Sequence, residues 1–221
     1  MIEAVIDIRV LETKDWATVL FMLSIALIAI TKTAFENRFS EFLRILISDK
    51  YIKVYKDSSH IMSGFSILLF FVQIISVSFF LLVILDHYEY VSKYDWNSYL
   101  RISTFFSVFV LSKYLIDKII ATTFDFEEFM EQYNLQKVSY RTFLSLLLLP
   151  LSIFLYYNKN YHESLIFTVI AIILTINVLT YLISLRNYQN LIIGHLFYFI
   201  LYLCALEIAP YYFMYYLITK P

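Results

Sequence analysis

Long apolar runs separated by short charged segments leave this chain few ways to fold. Six can be marked, at roughly 16–33, 61–85, 99–121, 141–157, 163–184 and 192–217, each compatible with the ~20 residues of a bilayer crossing. Hydrocarbon offers backbone N–H and C=O groups no partner, so runs of this length become helices. The expectation is an all-α polytopic membrane protein with about six transmembrane helices and one or two cytoplasmic interfacial helices. Composition agrees, with 61% hydrophobic residues, 16% charged and two glycines among 221. A soluble domain carries about a quarter charged residues and about 7% glycine. A net charge of -1 gives no field that would gather nucleic acid, so no nucleic-acid partner is expected. Cys204 is the lone cysteine, which excludes an intramolecular disulfide and a Cys-x-x-Cys metal site. The first fifteen residues lack the basic segment and cleavage site of a signal peptide, so insertion is expected to rely on the first membrane helix. With no repeat and no Pro/Gly/Ser linker, residues 1–221 read as one integral membrane domain.

The basic residues orient the runs. Lys32, Arg38, Arg44, Lys50, Lys53 and Lys56 lie between runs one and two. Lys118, Lys137 and Arg141 lie between three and four, and Arg186 between five and six. The other side collects Arg9, Lys14, Lys93, Arg101, Lys159 and Lys220, which places the first group in the cytoplasm and both termini outside. Trp16, Trp96, Tyr88, Tyr90, Tyr94, Tyr99, Tyr156, Tyr157 and Tyr161 fall at the outer edge. Tyr211, Tyr212, Tyr215 and Tyr216 join them, and the set reads as an anchoring aromatic belt.

Two cytoplasmic segments, 35–48 and 124–134, read as amphipathic. In the first, Phe35, Phe39, Phe42, Leu43, Leu46 and Ile47 share one face, opposite Asn37, Arg38, Glu41 and Arg44. In the second, Phe126, Phe129, Met130 and Tyr133 oppose Asp125, Glu127, Glu128 and Glu131. This acidic segment suits packing on the basic face of the first better than an anionic lipid surface.

Polar residues inside the runs are the candidate site. Glu207 lies about fifteen residues into the last run, or ~22 Å along a helix, beyond easy reach of either surface. Pro210 follows and frees a carbonyl near Leu206, so Glu207 suits a proton site, an ion ligand or interhelical glue. Lys113 and Asp117 stand one turn apart in run three and share a face. Depth along the helices predicts two polar layers, because Lys113 and Glu207 differ by ~12 Å. Lys113, Asp117 and Asn177 form the inner one; Glu207 and Gln73, with Tyr202, form the central one. Pro150 and Pro210 are expected helix kinks. His60, His87, His162 and His195 are scattered, so no metal site is expected, and neither a cofactor nor a catalytic residue is indicated.

The closing run FYFILYLCALEIAP, with Tyr202, Cys204, Glu207 and Pro210, resembles the C-terminal signature of an uncharacterised membrane family of Gram-negative bacteria. In that family an LYLCxLEIxP-like run closes a domain of unknown function of about two hundred residues. A lysine-bearing middle run and a proline in the next, here Lys113 and Pro150, keep the same order. Where the family often has a glycine ahead of that proline, this chain has Ser145 and leucines. The resemblance implies an inner-membrane location and supplies no activity.

Three functions remain open. The expected one is a non-enzymatic subunit or scaffold of a cell-envelope complex, with the bilayer and other envelope membrane proteins as partners. A small proton-coupled transporter or channel using Glu207 is the alternative, although no inverted repeat is visible. A membrane enzyme on a lipid-linked substrate comes third, because no nucleophile accompanies Glu207 at its depth.

Overall fold

A computed structural model describes residues 15–45, 51, 54–55, 63–123, 127–158 and 163–187. The described residues are helical, with no strand among them. The helices are α1 (Asp15–Ala34), α2 (Glu36–Leu43), α3 (Gly64–His87), α4 (Trp96–Thr123), α5 (Glu127–Tyr157) and α6 (Glu163–Asn187). Three are long and apolar enough to cross a membrane: Asp15–Ala34, Gly64–His87 and Asn134–Tyr157. Ser164–Val178 of α6 adds a shorter apolar helix. α4, which carries Arg101, Lys113, Asp117 and Lys118, is long but does not join the three. The expected run 192–217 lies outside the described residues.

α3 is the hub. It packs most extensively on α5, then on α1 and α4. Trp16, Phe79, Trp96, Tyr99 and Tyr156 meet at one end, so that end gathers the start of α1, the end of α3, the start of α4 and the end of α5. Phe42, Phe65 and Phe143 meet at the other. α3 therefore runs parallel to α5 and antiparallel to α1 and α4.

Local chemistry sets several boundaries. Asp95 caps α4, its carboxylate accepting from the backbone N–H groups of Asn97 and Ser98 and from the Ser98 hydroxyl at 2.6 Å. These bonds, the Ser98 hydroxyl first, hold its carboxyl below the usual range. α3 ends with Tyr90 N–H bonded to the Leu85 carbonyl and Glu89 N–H to that of Asp86, while Glu89 adopts φ 60°. That is a Schellman cap with glutamate at the position where glycine is usual. Within the helices, Ser24, Thr31, Ser107 and Thr175 return their hydroxyls to the carbonyl one turn back, so each is satisfied without a partner helix.

The amphipathic segments differ from expectation. Only Glu36–Leu43 of the first forms a described helix, and Arg38 turns inward with Phe39 and Phe42 while Leu43 is exposed. Residues 127–134 of the second begin the same 31-residue helix as the proline-bearing run, so what reads as a separate surface segment and a short fourth crossing is one rod, α5. Nothing in residues 127–133 breaks a helix, and the polar turns simply extend the apolar ones. The aromatic edge also divides. Tyr99 and Tyr156 are buried between helices, whereas Tyr88, Tyr90, Trp96 and Tyr157 remain exposed.

Candidate functional site

The polar interior is built on α5. Residues at three- and four-residue spacing bring Ser139, Thr142, Ser145 and Ser152 onto its buried side, facing Gln73 and Ser76 of α3. Thr142 Oγ1 donates to Gln73 Oε1 at 3.1 Å. Ser145 donates to the Thr142 carbonyl, and Ser76 donates to the Ser145 carbonyl at 2.7 Å. Ser152 closes the series, donating to Leu148 of its own helix and, at 3.3 Å, to the Ser76 carbonyl of α3. Small hydroxyl side chains let two backbones approach closely, and each interhelical bond adds direction to an otherwise non-specific apolar contact. Among the described residues Gln73 Nε2 and Ser78 Oγ are buried and find no hydrogen-bond partner.

Below this seam lies a cation. Arg38 is 7% exposed and sits over the rings of Phe65, at 4.6 Å, and Tyr55, at 4.8 Å. Its Nη1 donates to Ser63 Oγ at 2.7 Å, and Nη2 and Nε donate to the Tyr51 hydroxyl at 3.3 and 3.4 Å. Burial pushes the Tyr51 phenol upward, and the Arg38 charge opposes that shift. Tyr51 also bonds Ser139, which joins this cluster to the seam on α5. The rings supply a negative face to the guanidinium, which is how a buried charge remains tolerable here.

The predicted site residues are only partly assembled. Lys113 and Asp117 are both buried on α4, one turn apart, and neither is without a partner. Asn177 does not join them; it is exposed on α6 and its amide donates to the Ile173 carbonyl of its own helix. Gln73 is wholly buried at the α3–α5 contact. Pro150 stands inside α5, which continues through it. Glu207, Tyr202 and Pro210 lie outside the described residues. Among the described residues no three His, Cys, Asp or Glu side chains are grouped to hold a metal ion.

Sequence reasoning missed the hydroxyl seam and the Arg38 cluster. The first had a legible signal, in Ser139, Thr142, Ser145 and Ser152 recurring along one face of an apolar helix. The second had none, because its partners come from three separate stretches of chain.

Fold and site together define an α-helical protein whose bilayer-length apolar helices are fastened by hydroxyl, amide and guanidinium groups. The chain belongs to the family described as a domain of unknown function, DUF4271, which it matches over residues 17–218. No curated protein matches it, and no solved structure does either.

Proposed function

We propose that this protein is a multi-pass inner-membrane scaffold, a non-enzymatic subunit of a cell-envelope complex. In this reading residues 1–221 form one membrane domain with six crossings and both termini outside. The observation that supports it is how the described polar interior is used. The hydroxyls of Ser76, Thr142, Ser145 and Ser152 fasten α3 to α5 or to their own helix, rather than converging on a reacting atom. A hub so fixed suits a rigid platform. The outward faces of α1 and α4, with Val19, Met22, Phe105, Val108 and Leu115 exposed, suit contact with lipid and neighbouring membrane helices.

Purification in mild detergent, followed by mass spectrometry of co-purifying proteins and lipids, tests the proposal. The expected result is a stoichiometric membrane-protein partner. A solitary protein that carries a solute across proteoliposomes would overturn it.

A further inference from the structure

Pro150 stands inside α5 and is exposed on its outward side. It has no N–H to give, so the carbonyl of Leu146 loses its helical donor, and the ring crowds that carbonyl. Helices bend at such a place. Ser145 and Ser152 lie two turns apart, so they share a face, and both are buried. Pro150 falls between them on the opposite face. One residue of α3 reaches both sides of this break. The Ser76 hydroxyl donates to the Ser145 carbonyl at 2.7 Å, ahead of the proline. The Ser76 carbonyl accepts from the Ser152 hydroxyl at 3.3 Å, beyond it, a bond that Ser152 shares with the Leu148 carbonyl. Ser76 itself is wholly buried.

We propose that Pro150 is a hinge in α5 and Ser76 the latch that sets its angle, so that residues 151–157 form a short arm able to turn on the rest of the bundle. The long arm has its own fastening to α3, from Thr142 to Gln73. The short arm ends in rings. Tyr156 packs on Trp16, Phe21 and Phe79, and the Tyr157 hydroxyl meets that of Thr18 at 2.5 Å. Ring contacts tolerate small rotations, so they keep the arm in place while the serine bonds fix its angle. An arm of seven residues is ~10 Å long, and about 20° of further bend moves its tip by ~3.5 Å. A shift of that size repacks the junction of α1, α3 and α5 around Trp16 and Phe79. The hinge and latch concern two helices of one chain, so they stand or fall separately from the scaffold reading.

Pulsed EPR distances in lipid nanodiscs test it, in a Cys204→Ser background. Spin labels on Phe154→Cys and Ile119→Cys, both at exposed positions, report the short arm. Labels on Leu147→Cys, also exposed, and Ile119→Cys report the long one. Ser76→Ala with Ser152→Ala removes both latch hydroxyls and keeps the side chains small. The expected result is a 154–119 distribution broader by ~2 Å, for a label four residues past the hinge, with the 147–119 distribution unchanged. Ser152→Ala alone is the milder variant and is expected to broaden the same pair by less. Adding Pro150→Ala to the double variant restores the missing N–H and is expected to narrow the distribution again. An unchanged 154–119 distribution, equal broadening of both pairs, or no narrowing with Pro150→Ala overturns the proposal.

Discussion

The two ends of the helix bundle use the same rings for opposite purposes. At the Trp16 end the contacts run from ring to ring: Phe21 and Phe79 lie 4.2 Å apart, Phe79 and Tyr99 4.6 Å, Trp16 and Phe79 5.6 Å. At the other end Phe65, Tyr51 and Tyr55 surround the Arg38 guanidinium. Aromatic packing alone holds helices by area and offset geometry, and it tolerates small rotations. A guanidinium with directed bonds to Tyr51 and Ser63 fixes position as well. The comparison teaches that at one end the charge, Lys93, sits beside the ring cluster, over Tyr94 and donating to the Asn158 carbonyl, whereas at the other the rings are gathered around the charge itself.

The largest expected effect lies at the ring-rich end. Phe79 is fully buried and touches Trp16, Phe21, Tyr99 and Tyr156, so Phe79→Ala should cost about 3–5 kcal/mol in thermal unfolding. An effect below that of Arg38→Leu would reverse the ranking of the two ends. Arg38→Leu leaves the Tyr51 hydroxyl with Ser139 alone and removes the Ser63 bond, and should cost about 2 kcal/mol in the same assay. Arg38→Lys keeps the charge but loses the fork, so it should recover only part of that. Full recovery would reduce the cluster to a simple ion site.

Glu89→Gly should act in the opposite direction, gaining about 1 kcal/mol by relieving the left-handed backbone at the end of α3. Between the ends, Ser76→Ala removes a bond to α5 and should cost about 0.6 kcal/mol, the usual scale of such bonds in membranes. The smallest effect is a pH dependence. Burial raises the Tyr51 pKa above 10.0, so above that pH the unfolded chain gives up a proton that the folded one keeps. The stability Tyr51 contributes is thus complete below pH 10.0 and lost as pH rises further. Tyr51→Phe should flatten alkaline melting curves, and an unchanged slope would remove Tyr51 from the account.

The parts legible in sequence were those that hydrophobic length decides. α1 and α3 begin and end within a few residues of their expected limits, and the family matched is, as the resemblance implied, a domain of unknown function. What stayed hidden depends on partners. Arg38 reads as solvent-facing because α2 alone gives it an outward side; the rings that draw it inward belong to Tyr51, Tyr55 and Phe65. Tyr99 and Tyr156 read as headgroup anchors from their place at run ends, yet neighbouring helices cover them. α5 was divided in the sequence because polarity changes along it, although helical backbone does not stop where polarity does. Asn177 shares the predicted level of Lys113, but depth says nothing of rotation about the helix axis.

That undivided helix has a mechanical consequence. With 31 residues, α5 is about 46 Å long, against ~30 Å for a hydrocarbon core, so it outreaches the layer its apolar part can occupy. Its proline comes late, leaving the stretch from Glu127 to Leu149 without an interruption. Any twist or tilt imposed on the turns that carry Thr142 and Ser145 is therefore a twist or tilt of the acidic turns at its start.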